Sequence, residues 1–113
     1  VPHCVIDFSP NLMGDELAQK LTEACHGAML QSGLFDPVSV KTRAHRADAA
    51  LTGQGDDSFI HVDIAIMPGR SSEQKLALMQ AVADAIAAAD VVASSLTMEV
   101  RELVQAHYMK KLA

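Results

Sequence analysis

Apolar and polar positions repeat with two different periods along this chain, and the switches between them mark its elements. Residues 2–8, Pro-His-Cys-Val-Ile-Asp-Phe, read as a strand that Ser9-Pro10-Asn11 ends. Over residues 15–31 the spacing becomes helical: Leu17, Leu21, Ala24 and Ala28 fall on one side, and Gly33 supplies a stop. Phe35-Asp36-Pro37 is a turn. Residues 38–43 alternate as a second strand, and residues 47–57, polar and glycine-containing, read as a loop or hairpin tip. The clearest strand covers residues 59–66, with Ile60, Val62, Ile64 and Ile66 on one face and Phe59, His61, Asp63 and Ala65 on the other. After a turn at residues 67–70, Ser71 and Gln74 fit a capping box at the start of a second helix. Leu76, Met79, Val82 and Ile86 are its expected inward face. A last strand covers residues 95–101, and residues 103–113 form a tail, a short helix or a docking arm.

The order is β-α-β followed by β-α-β, in one domain spanning residues 1–113. Each half predicts a parallel crossover, right-handed by the usual rule. Two such units form an α/β (α+β) fold, a four-stranded sheet with both helices on one face. The opposite face is expected to be apolar and uncovered, which predicts an oligomer.

Composition narrows the function. The formal net charge is −5, which disfavours non-specific contact with nucleic acid or an anionic membrane surface. Trp is absent and aromatics are few, so stacking platforms for bases are not expected. No apolar run approaches the ~20 residues of a membrane span, and the start of the chain lacks a signal-peptide pattern, so the cytoplasm is the expected compartment. Cys4 and Cys25, in different elements, predict reduced, buried thiols and no disulfide framework. No Cys/His cluster has zinc spacing.

Three groups of residues can carry chemistry. Pro2 either simply opens a strand or, as a free N-terminal secondary amine, offers a base titrating near neutral pH. Arg43 ends a predicted strand, and Arg70 lies between Gly69 and the cap Ser71, beside a helix start that favours anions. Each is a solvated surface Arg or a bidentate carboxylate ligand. Lys41 shares a strand face with Arg43 by period two and adds a third cation. His3, His45 and His61 are read first as packing or hydrogen-bonding residues.

These pieces resemble a known family. Pro2-His3 opening a strand, Thr42-Arg43-Ala44-His45 after a β-α-β unit, and Pro68-Gly69-Arg70-Ser71 before a helix are similar to the 5-carboxymethyl-2-hydroxymuconate isomerases of the tautomerase superfamily. The resemblance implies a homotrimer of tautomerase-like subunits, a small dicarboxylate or tricarboxylate substrate from aromatic catabolism, and no metal or organic cofactor. It implies Pro2 as general base and acid, with Arg43 and Arg70 binding carboxylates. Lys41 departs from the family, where an Arg is expected. Val1 stands before Pro2, and an acylated proline nitrogen is an amide with no basicity. The enzyme reading therefore expects a mature chain that begins at Pro2. The alternatives are another tautomerase-superfamily activity or a non-catalytic trimeric anion-binding protein with a blocked proline.

Overall fold

The computed structural model describes all residues, 1–113. Four strands form one sheet: β1 (His3–Phe8), β2 (Lys41–Arg46), β3 (Phe59–Ile66) and β4 (Ser95–Glu102). Two helices, α1 (Leu17–Gln31) and α2 (Ser72–Ala88), connect β1 to β2 and β3 to β4. The strand order is β2-β1-β3-β4. Both crossovers are parallel, and the central β1–β3 pair is antiparallel. The expected β-α-β-β-α-β architecture is the one observed.

Alternation decides which sheet face is buried. Cys4, Ile6 and Phe8 of β1 and Ile60, Val62, Ile64 and Ile66 of β3 are all at most 1% exposed. They meet Leu21, Cys25, Ala28 and Met29 of α1 and Leu78, Val82 and Ile86 of α2 in one continuous core. Both cysteines are free and buried, as their sequence context predicts. Ser32 caps the C-terminus of α1, and Gly33 follows at φ +72°, a left-handed turn that glycine adopts without strain. At the start of α2 the capping box forms: Ser71 Oγ accepts from the Gln74 N–H at 3.1 Å, and the Ser71 N–H donates to Gln74 Oε1 at 2.8 Å.

Three expectations are corrected. Alternation predicts the second strand over residues 38–43, but residues Pro37–Ser39 form a 3-10 turn and the strand begins at Lys41. Pro37 fits the first helical position, and the Asp36 side chain accepts from the Val38 N–H, so alternation over 38–40 reflects a capped turn. In α2 the inward residue of the first turns is Leu78, not Leu76, which is 65% exposed. Starting the helix at Ser72 turns Leu78, Val82 and Ile86 inward at intervals of four.

The third correction concerns the open sheet face. It is polar, not apolar. Register brings His3 and Asp7 of β1 together with Lys41, Arg43 and His45 of β2, His61 and Asp63 of β3, and Thr97, Glu99 and Arg101 of β4. Val5, Phe59 and the buried Ala65 are its main apolar positions. The alternation that fills the core with aliphatic residues leaves the opposite positions to charged and hydroxyl side chains. No helix is long and apolar enough to cross a membrane.

The two leucines of α2 supply a direct check on this packing. Leu78→Ala is expected to cost about 2–5 kcal/mol in urea denaturation, whereas Leu76→Ala stays within about 0.5 kcal/mol.

Candidate active site

The strand ends near the start of β1 and the end of β3 converge on a cavity of about 320 Å³. Val1, Pro2, Ser39, Ile66, Arg70 and Lys110 are among its walls, with Phe35, Asp36 and Met67. Each element delivers its residue for a local reason. Pro2 precedes β1, where a missing N–H breaks no ladder bond, and its carbonyl accepts from the Lys41 N–H at 3.1 Å. Gly69, at φ +121°, turns the chain sharply between β3 and α2 and sets Arg70 at the cavity edge.

Arg70 is half-buried and tightly held. Its guanidinium donates to the Leu34 carbonyl and lies 5.5 Å from the centre of the Phe35 ring. Cation–π contact and hydrogen bond fix the plane of the guanidinium and leave other N–H donors for an anion. Asp36 is the one acid in the cavity wall, and its side chain accepts from the Val38 N–H. The cavity thus combines a buried proline, a fixed Arg and a Lys. A larger cleft of about 780 Å³ along the start of α1 carries Asp15, Glu16 and Glu23 against Lys20, a poor setting for an acidic ligand.

Of the residues singled out in the sequence, the fold brings Pro2 and Arg70 into one cavity, but not Arg43. Arg43 lies on the open sheet face and donates to His3 Nδ1 at 3.3 Å. Lys41 begins β2 beside the cavity wall, and its Nζ donates to the carbonyls of Val38 and Ser39, each at 3.3 Å. His61 Nδ1 pairs with Thr97 Oγ1 at 2.7 Å, and His45 is exposed on the same open face. No group of three or more His, Cys, Asp or Glu side chains is arranged to hold a metal ion.

The histidine beside the proline has a defined state. A guanidinium only donates, so the Arg43 contact makes His3 Nδ1 an acceptor and leaves the proton on Nε2. That proton is donated to the Tyr108 hydroxyl, 3.0 Å away. Desolvation is the main cause that holds His3 below its ordinary 6.5. The charges of Arg43, the N-terminus, Lys41 and Arg101 add to it.

Sequence reasoning missed Phe35, Lys110 and Tyr108. Phe35 lay in a segment read only as a turn. The signal for the other two was the run His107-Tyr108-Met109-Lys110-Lys111, basic residues beside an aromatic in an otherwise acidic chain.

The family model described as 5-carboxymethyl-2-hydroxymuconate isomerase matches residues 2–112. A 5-carboxymethyl-2-hydroxymuconate isomerase from Deinococcus radiodurans R1 is 25% identical, with a TM-score of 0.76 over 97% of this chain and 88% of that one. A 5-carboxymethyl-2-hydroxymuconate delta-isomerase is 20% identical, with a TM-score of 0.83 over 100% of this chain and 89% of that one. A fused 4-OT wild-type symmetric trimer, 19% identical, has a TM-score of 0.73 over 89% of this chain and 85% of that one. The last two show the fold alone. No curated protein matches.

The state of His3 has a consequence for stability. Its folded-state value lies below the unfolded 6.5, so the folded chain binds fewer protons between the two. The contribution is complete above about 6.5 and is lost as pH falls through the lowered value. Urea midpoints taken from neutral to mildly acid pH are expected to fall less steeply for His3→Gln than for the wild type. Parallel profiles would contradict the assignment of this window to His3.

Proposed function

The chain belongs to the 5-carboxymethyl-2-hydroxymuconate isomerase family, and from this we propose that it isomerises an acidic 2-hydroxymuconate-type dienol to the conjugated 2-oxo acid. Family membership supports an isomerase of the tautomerase type. The finer assignment rests on one observation: Pro2 and Arg70 line the same cavity.

The chemistry follows from those two residues. A dienol must lose the proton on its 2-hydroxyl and gain one at a distant carbon of the conjugated chain. A single amine titrating near neutral pH takes the first proton and returns it at the second position, a contribution of about 10²–10⁴-fold. Pro2 is that amine when it is the first residue of the mature chain. Arg70 holds a substrate carboxylate in place, and the cations of the cavity stabilise charge on the dienolate oxygen. Arg43, on the open sheet face beside His3, and Lys41, next to the cavity wall, are the remaining candidates for binding substrate.

The environment suits a base. The Val1 amine is already held below its ordinary 8.0, first by desolvation and then by the charges of Lys110 and Lys41. Pro2 is buried and shares its cavity with Lys110 and Arg70, a setting that disfavours a protonated amine.

We propose that the working assembly is a homotrimer. The symmetric trimer of the similar 4-OT structure supports it. Light scattering in dilute solution is expected to give three times the 12.0 kDa subunit mass. A monomer at micromolar concentration overturns the trimer.

The test of the mechanism compares two purified forms on one 2-hydroxymuconate dienol, one beginning at Pro2 and one retaining Val1. The Pro2 form is expected to turn over, with a rate that rises through one ionisation below the ~7.7–8.0 of an ordinary α-amine. The Val1 form loses both activity and ionisation, because an amide nitrogen has no basic lone pair. Equal activity in the two forms removes Pro2 from the mechanism. Inactivity of both, with retained dicarboxylate binding, supports the anion-binding alternative.

A further inference from the structure

The tail beyond β4 returns across the sheet to the first residues of the chain. The Leu103 N–H donates to the Ile66 carbonyl at 2.7 Å, a 3-10 turn follows at Gln105–His107, and Tyr108 reaches His3 Nε2 at 3.0 Å. The His3 and Tyr108 rings meet edge to face with centroids 6.1 Å apart. Two residues on, Lys110 stands in the wall of the cavity that holds Pro2 and Arg70. Tyr108 has extended backbone dihedrals, and only Met109 separates it from Lys110. A bond that fixes Tyr108 therefore also restrains the stretch of backbone that carries Lys110.

Apolar burial does not hold this tail. Val104, Met109 and Leu112 are 59%, 88% and 78% exposed. The specific attachment beyond Leu103 is the contact with His3. The charge it delivers is also free. The two ion pairs of the chain join Lys75 to Glu102 and Arg101 to Asp63, Lys41 is tied to two carbonyls, and Arg43 is tied to His3. Lys110 has no such partner, and it faces a cavity whose other cation, Arg70, is fixed.

We propose that Lys110 is a further substrate-binding residue, a contact for a second carboxylate, and that the His3–Tyr108 hydrogen bond positions it. The inference rests on the reading of this cavity as the site for an acidic dienol. Arg70 supplies a fixed planar clamp, and Lys110 a compact charge on a flexible stem that adjusts to the length of the ligand. Together they select a dicarboxylate over a monocarboxylate. Tyr108 is a positioning residue, since it acts only through Lys110.

Calorimetric titration with cis,cis-muconate tests this. Muconate has two carboxylates and no 2-hydroxyl, so it cannot tautomerise. Sorbate, with one carboxylate on a similar diene, is the comparison, and both are titrated into the full chain beginning at Pro2. Lys110→Met is expected to weaken muconate ~10-fold, the low end for a charge-assisted contact at an exposed residue. Sorbate changes less than about two-fold, Lys110→Arg restores most of the muconate affinity, and Lys111→Met, which removes the same charge one residue away, leaves it within about two-fold. Tyr108→Phe also weakens muconate, and the double variant is no weaker than Lys110→Met alone, as expected when one residue acts through the other.

Equal losses for muconate and sorbate, unchanged affinity in Lys110→Met, or no muconate binding by the wild type overturns the role of Lys110. Additive losses in the double variant overturn the positioning role of Tyr108. Turnover of a dienol is measured separately: a protein that binds muconate through Lys110 but isomerises nothing refutes the isomerase reading and leaves this one standing.

Discussion

Antiparallel pairing of β1 with β3 is the constraint on which the molecule depends. It aligns Cys4 with Ile64, Ile6 with Val62 and Phe8 with Ile60, so that one face of the central pair is wholly apolar. With a side-chain period of two, a slip of one residue would turn His3, Val5 and Asp7 into the core and is strongly excluded. The same register sets His3 beside Ala65, one residue before Ile66 and a short turn before Arg70. Pro2 and Arg70, separated by most of the first two-thirds of the sequence, reach one cavity because this pair is in register. Each parallel crossover then adds an outer strand and covers the apolar face with a helix.

The central strands and both helices were legible because their signals were local. Residues 59–66 alternate without interruption, and Ser71 with Gln74 announces the second helix before its apolar positions begin. Where a signal had two physical meanings, the sequence was ambiguous. Val38 and Val40 alternate as in a strand, yet Asp36 and Pro37 make the first of them part of a capped turn. Leu76 and Leu78 are equally apolar, and only the starting residue of the helix decides which turns inward. The polar open face was legible in β3, where His61 and Asp63 alternate with the isoleucines, but register across four strands is needed to see that its neighbours are charged as well.

For the candidate site, Pro2 and Arg70 were legible because each has a local marker, a Pro-His opening a strand and a Gly-Arg-Ser turn. Their common cavity was not, since it follows from strand register. Arg43 was expected near the proline and instead orients His3. Lys110 was hidden in a segment without periodicity, two residues past the long-range hydrogen bond between Tyr108 and His3. A chain of net charge −5 thus keeps a small cationic centre by tying most of its basic side chains to carbonyls, acids or His3, and leaving few free at the cavity. Local field rather than overall balance governs what approaches such a centre.

The contact between His3 and Tyr108 spans 105 positions of sequence and brings the two ends of this chain to the same cavity. Those ends are therefore unsuitable attachment points: an affinity tag, a fluorescent fusion or a short linker joining them in a circular permutant would crowd Pro2 from one side or displace Lys110 from the other. The loop of residues 47–57 lies at the far end of the sheet, next to Phe8 and Ser9, and all of its residues but Ala47 and Asp57 are exposed. Foreign sequence belongs there, where Asn11 Nδ2 donates to the carbonyls of Asp56 and Asp57 and holds one arm of the loop in place.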